Sequence, residues 1–190
     1  LVSPGRLARE GIALVRSVRG GGVTFHWPGQ LVCYPILALR PHERDVRSYM
    51  SKLEQICLES LESFGVRGEL KKFTGQHIGV WVGERKIVSM GVRISQWITS
   101  FGFAINLQGD YHQAAYVRPC GLEGVQLVTL QEILGYAPSR HEVIQSLKRA
   151  VKSHLQREVR SVDLSQTRTN EMLSPQRHAC RQHQRMENAQ

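Results

Sequence analysis

Six apolar residues, Val46, Met50, Leu53, Cys57, Leu61 and Phe64, recur at steps of four, three, four, four and three. That rhythm draws one stripe along a helix and fits neither face of a strand. A helix with one apolar stripe must lay it on something, so the chain has to supply a second layer. Gly65 stands where a helix-terminating glycine belongs. The partner layer reads as β-structure. Residues 11–18 read as a strand running into three glycines, and residues 31–39 as a strand that follows the turn at Pro28-Gly29. Beyond the helix, residues 77–82 and 86–94 read as a hairpin around Gly83-Glu84-Arg85, with further strand at 97–99, 103–107 and 125–128. Residues 111–117 are ambiguous. A last helix is expected from an N-cap at Ser139, just after Pro138, to about residue 159. Strands with one helix between them and another at the end indicate an α/β (α+β) fold. The lack of regular βαβ alternation argues against a Rossmann sheet.

The 190 residues suit one domain with a tail. No apolar run approaches the roughly 20 residues that cross a bilayer, and the first residues lack a signal peptide's apolar segment. The expected location is therefore the cytoplasm. The chain starts at Leu1 and not at Met, so a fragment of a longer chain is expected. Cys33, Cys57, Cys120 and Cys180 are read as thiols, because the chain is too long and too poor in cysteine for a secreted disulfide scaffold. No Cys-x-x-Cys or spaced Cys/His cluster is present, and no metal is expected. The net charge is +9, but from Lys148 onward nine basic residues face four acidic ones, so +5 of it falls in the last 43 residues. Beyond Ser161 the sequence is polar with almost no apolar period, and disorder is expected there. A basic tail of this kind binds polyanions weakly or meets an acidic protein. There is no stacking motif or helix-turn-helix signature for nucleic acid.

Three places could carry chemistry. Cys120 lies between Pro119 and Gly121, at a turn where a thiol can reach a substrate, although most lone cysteines are buried small hydrophobes. Cys33 in a strand and Cys57 on the helix stripe fit that plainer description. The run Arg19-Gly20-Gly21-Gly22-Val23-Thr24-Phe25-His26 offers close backbone approach, a cation, a hydroxyl and an imidazole, or else a tight connection between strands. It ends in no Gly-Lys-Ser/Thr and contains no Gly-x-Gly-x-x-Gly, so neither nucleotide fingerprint fits. Lys86 follows a turn and opens an apolar strand. A lysine there is usually a solvated edge charge; withdrawn from water beside a thiol, it would exchange protons.

Together these segments resemble one family. Residues 19–26 with Pro28-Gly29-Gln30-Leu31-Val32-Cys33-Tyr34 resemble the RGGxxTxHxPGQ-(L/I)-V-x-Y motif of lipoyl(octanoyl) transferases. Gly79-Val80-Trp81, Lys86-Ile87, Gly91-Val92-Arg93-Ile94 and Trp97 resemble its second block. Gly102-Phe103-Ala104-Ile105-Asn106 and Pro119-Cys120-Gly121 resemble the third and fourth. The resemblance implies the fold of biotin and lipoate protein ligases, a mixed sheet flanked by helices. It implies that Cys120 takes octanoate from acyl carrier protein as a thioester, with Lys86 as acid/base partner. Delivery is then to a specific lysine of lipoyl domains, on 2-oxoacid dehydrogenase complexes or the glycine cleavage H protein. Residues Arg19 to His26, Ser89-Met90-Gly91 and Gly102-Phe103-Ala104 are implied to form the acyl pocket. Val23, Phe25, Met90 and Phe103 suit an apolar eight-carbon chain. The donor is already an activated thioester, so no cofactor is expected. A monomer is expected, with the catalytic domain over residues 1–160 and the tail over 161–190.

The sequence departs from the family at three points. Trp27 follows the motif's His26 where the family has Gly, which is expected to alter the pocket mouth. Phe101 precedes Gly102 where the family has His, removing any hydrogen bond from that imidazole. Only eighteen residues precede Arg19, with Pro4-Gly5-Arg6 as the remnant of a longer N-terminal region. Two rivals follow. An ATP-dependent lipoate–protein ligase shares the fold but has no nucleophilic cysteine in a Pro-Cys-Gly setting. A catalytically impaired or truncated relative would bind acyl carrier protein or lipoyl domains without turnover.

Overall fold

A computed structural model describes residues 3–71, 78–112, 114, 125–160 and 162. The chain divides into Leu1–Glu158, which holds every element below, and Val159–Gln190, of which residues 159, 160 and 162 are described. The first unit opens with α1 (Pro4–Arg9) and a first strand, β1 (Gln30–Cys33), before the long helix α2 (Val46–Glu62). A hairpin follows, β2 (Gly79–Val82) with β3 (Arg85–Ser95), and then β4 (Ile98–Asn106). The last elements are β5 (Gln126–Leu127), α3 (Leu130–Leu134) and α4 (Arg140–Leu155).

The strands form a sheet in the order β1-β4-β3-β2, with β5 on β3. All pairs are antiparallel except β3 with β5, which makes the sheet mixed. The β3–β4 pairing runs from Val88↔Ile105 to Ser95↔Ile98 and is the longest ladder. Gln96 and Trp97 turn it, both in the left-handed region at φ 50° and 61°. Residues 97–99 and 103–107 therefore belong to one strand and its turn. Gly102 does not break it: a Cβ there would run into the Cys33 carbonyl, so glycine lets β1 and Pro35 close over β4.

The stripe seen in the sequence is what α2 buries, widened by Tyr49, Ile56 and Ser60. Leu53, Ile56, Cys57 and Leu61 are fully enclosed in one apolar cluster with Val80, Ile87, Val88 and Ile105 of the sheet. Val46 at the stripe's start is exposed. Asp45 caps α2 through Ser48 N–H, and Gly65 at φ 74° closes it with Val66 N–H on the Leu61 carbonyl. Helix α4 packs along α2. Its small Ser146 makes the close approach, sharing hydrogen with Ser63 at 2.7 Å and donating to the Ser60 carbonyl. Ser139 caps α4 with Glu142 returning to its backbone, a box worth about 1 kcal/mol.

Some expected elements are placed differently. Residues 12–18 are not a strand: no neighbour pairs with them among the described residues, and Leu14 and Val15 are 68% and 79% exposed. An apolar run becomes a strand only where an edge accepts it. The expected strand 31–39 holds only through Cys33, then continues extended with a lone bridge from Ala38 to Ile98. Helix α4 stops at Leu155, not near 159, and short α1 and α3 went unread. No described helix is long and apolar enough to cross a membrane.

The end of α4 is tied back by a half-buried ion pair. Arg157 donates to both Glu43 oxygens at 3.0 and 2.7 Å, and Arg40 N–H donates to the same carboxylate at 2.8 Å. These donors hold the Glu43 carboxyl down at about 2 against an ordinary 4.5. A depressed folded-state value contributes stability that is complete above about pH 4.5 and is lost as pH falls towards 2. Glu43→Gln should therefore flatten the fall in unfolding free energy across that window, followed by urea titrations at stepped pH. An unchanged slope would show that the pair contributes nothing.

Candidate functional site

The motif segments converge on one cavity of about 590 Å³, within the ~300–1,000 Å³ common for small-molecule sites. Its walls come from the glycine-rich run through Arg19, Val23, Thr24, Phe25 and His26. β3 contributes Ser89, Met90 and Gly91, and β4 contributes Gly102, Phe103 and Ala104. Gly91 and Gly102 face each other across the ladder, which keeps the floor low. The run is fastened to β3 by Gly20 N–H on the Val92 carbonyl at 2.9 Å, and the Arg19 side chain lies along Gly91. Gly21 and Gly22 serve the connection and do not line the space. The unpaired stretch through Ile12, Leu14 and Val15 forms part of the wall, which the sequence did not suggest. The lining is mainly apolar, with polar groups from Glu10, Ser17, Arg19, Thr24, His26 and Ser89.

Lys86 is buried, only 2% exposed, at the start of β3. The open alternative of a solvated edge charge is thereby excluded. It does not line the cavity. Gly79, at φ 139°, makes room for it, since a Cβ there would meet the Lys86 stem and the Val88 carbonyl. A register shift between Val80 and Trp81 sets Trp81 opposite Lys86, and the ammonium stands 5.4 Å from the ring centre. Lys71 approaches the same ring at 4.5 Å while paired with Glu84. Trp81 and Gly79 were quoted only as family pattern; their work is to shape the lysine's surroundings.

A chain of side-chain hydrogen bonds leaves the cavity for the sheet interior. His26 Nδ1 meets Gln30 Oε1 at 2.8 Å, and Gln30 Nε2 donates to Asn106 Oδ1 at 2.9 Å. Asn106 Nδ2 donates to the carbonyls of Lys86 at 3.2 Å and Val128 at 3.0 Å. Gln30 and Asn106 are directly opposed across β1 and β4, which is why their amides meet. Both are buried. Neither was given a role from the sequence, although Gln30 lies within the first motif segment and Asn106 ends the third.

Trp27 lines the cavity beside His26 and Pro28, so its bulk does shape that wall. It is buried, donates Nε1–H to the Gln108 carbonyl at 3.1 Å, and packs between Phe25 and Tyr111 at 6.2 and 5.6 Å between ring centres. Phe101 turns its ring edge to Tyr34 at the cavity, where it offers no polar atom. Cys120 with Pro119 and Gly121 lies outside the described residues, as does Cys180. Among the described residues no group of three or more His, Cys, Asp or Glu is placed to hold a metal.

The sequence profile of the lipoyl protein ligase A/B catalytic domain matches residues 1–152. An octanoyltransferase of Solibacter usitatus is 48% identical over 138 residues, 72% of this chain and 60% of that protein. The chain thus spans about three fifths of the length of that relative. Among solved structures, a Thermoplasma acidophilum lipoate protein ligase with bound lipoic acid superimposes with a TM-score of 0.70 at 19% identity, covering 83% of this chain and 65% of its own. Biotin protein ligase from Aquifex aeolicus gives 0.53 at 22% identity, over 67% and 53%. The two structures share the fold: a mixed, mainly antiparallel sheet flanked by helices. The profile match over residues 1–152 makes the chain a member of the lipoyl protein ligase A/B catalytic-domain family.

Proposed function

We propose that this chain transfers an octanoyl group from acyl carrier protein to a specific lysine of lipoyl domains, through a thioester on Cys120. The observation that carries the reading is the single cavity walled by the three motif segments, whose apolar lining suits an acyl chain. Family membership supplies the reaction class. In the first step the Cys120 sulfur displaces the phosphopantetheine thiol at the octanoyl carbonyl. In the second the acceptor amine displaces Cys120, and the amine's proton must leave. Lys86 is the group proposed to exchange protons in both, because the resemblance assigns that role to it and it is withdrawn from water at the start of β3. The donor is activated, so the transfer calls for no ATP or other cofactor. Acyl carrier protein and the lipoyl domains of 2-oxoacid dehydrogenase complexes or the glycine cleavage H protein are the proposed partners.

The test is intact mass after mixing with octanoyl–acyl carrier protein. The expected product is one octanoyl adduct that hydroxylamine removes and that Cys120→Ala abolishes. An adduct persisting in that variant would overturn the role of Cys120, and a requirement for ATP would make the protein a ligase. Lys86→Met should slow transfer roughly 10²–10⁴-fold, the scale of a lost acid/base group; a loss below tenfold would remove Lys86 from the chemistry.

The other described thiols are poor nucleophiles. Burial pushes the Cys33 thiol up to about 11. Cys57 is raised further from its ordinary value by burial, then by the nearby Cys33 and Glu54. Neither carries much thiolate at neutral pH. Iodoacetamide at pH 7.5 should leave both unmodified in the folded protein, read by peptide mapping; rapid labelling of Cys33 would contradict its assigned burial.

A further inference from the structure

The hydrogen bonds between the cavity and the sheet interior have a direction that can be worked out from one end. A backbone carbonyl only accepts. The amide group of Asn106 that faces the Lys86 and Val128 carbonyls must therefore be its NH₂, leaving Oδ1 as acceptor. Oδ1 is met by Gln30, which must present its own NH₂ there. The other end of the Gln30 amide is then its oxygen, 2.8 Å from His26 Nδ1. A carbonyl oxygen and a bare ring nitrogen cannot share a hydrogen that neither of them holds, so Nδ1 carries it. The two carbonyls thus settle both amide orientations and the histidine, with no freedom left along the chain. Gln30 is 7% exposed and Asn106 1%, so water does not offer an alternative partner.

We propose that Gln30 and Asn106 are positioning residues that hold His26 in its Nδ1–H form, so that the neutral ring turns a lone pair on Nε2 towards the cavity as acceptor for the N–H of the attacking amine. His26 is exposed and lines the cavity, and no described residue bonds to Nε2. An amine that gives one N–H to Nε2 has its own lone pair oriented for the acyl carbonyl, which is a positioning effect. The same Asn106 amide holds the carbonyl of Lys86, so one group braces both the imidazole and the lysine's backbone. The role in turnover rests on the acyl-transfer reading; the ring's protonation pattern does not.

Long-range ¹H–¹⁵N correlation of the histidine rings, at a pH where His26 is neutral, reads the tautomer directly in the full chain. The expected result is Nδ1–H for His26; Nε2–H would overturn the proposal whatever the protein's activity. Gln30→Met, which keeps the volume and removes both polar ends, should release the ring into a mixture of tautomers. Gln30→Glu should keep Nδ1–H, because one carboxyl oxygen still accepts there while the other, as a hydroxyl, donates to Asn106 Oδ1. A His26 signal unchanged in Gln30→Met would sink the chain of bonds. In the acyl-transfer assay, Gln30→Met should slow amide formation from preformed acyl-enzyme roughly 10- to 100-fold, the scale on which losing a histidine's outer hydrogen bond acts, with Gln30→Glu recovering part of it. Failure of the native protein to form any acyl-enzyme would refute the reading of function and leave the tautomer result standing; native-like amide formation by Gln30→Met would refute the positioning role alone.

Discussion

Where β4 leaves β3 at Asn106, the sheet would be left with buried carbonyls and no strand to serve them. The Lys86 carbonyl receives Val128 N–H at 3.1 Å and Asn106 Nδ2, and the Val128 carbonyl receives the same amide. An unserved buried acceptor costs about 1–3 kcal/mol. One side chain therefore joins the end of β4, the start of β3 and the strand β5 that takes over beside it. The three structures that matter to the site all depend on that joint: the Lys86 end of β3, the cavity floor on β3 and β4, and the link through Gln30 to His26.

The cavity and the lysine answer to different demands. The cavity needs a low floor and a close lid, which is why the facing glycines Gly91 and Gly102 sit where the ladder is most regular. Lys86 needs a dry setting with tolerance for charge, and it has one: a glycine beneath its stem and an indole face near its ammonium. Neither arrangement is stabilising in itself. Both rest on the apolar cluster between α2, α4 and the sheet, which fixes β3 firmly enough for a strained and polar end.

Trp27 sits in an aromatic group. The indole fills the space between Phe25 and Tyr111 and finds a carbonyl for its N–H. Tyr111 in turn donates to Glu132, the capping residue of α3. The glycine-rich run is thereby tied to the elements that follow β5. The same indole that lines the cavity is thus held in place by packing and by its N–H.

The sequence by itself determined the long helix, its cap and its end, because a period of 3.6 and a following glycine are local properties of the chain. It determined the hairpin at Gly83-Glu84 and the motif segments that gather at the cavity, because those residue types were read in order. It did not determine that residues 12–18 stay unpaired, since pairing depends on whether an edge is available. It did not decide whether Lys86 was a surface charge or a buried group, because burial depends on the β2–β3 register that sets Gly79 and Trp81 against it and on β5, which comes from 40 residues further along. Above all it could not show Gln30 and Asn106 as a pair. They are 76 residues apart, and only the register of β1 on β4 sets one amide against the other.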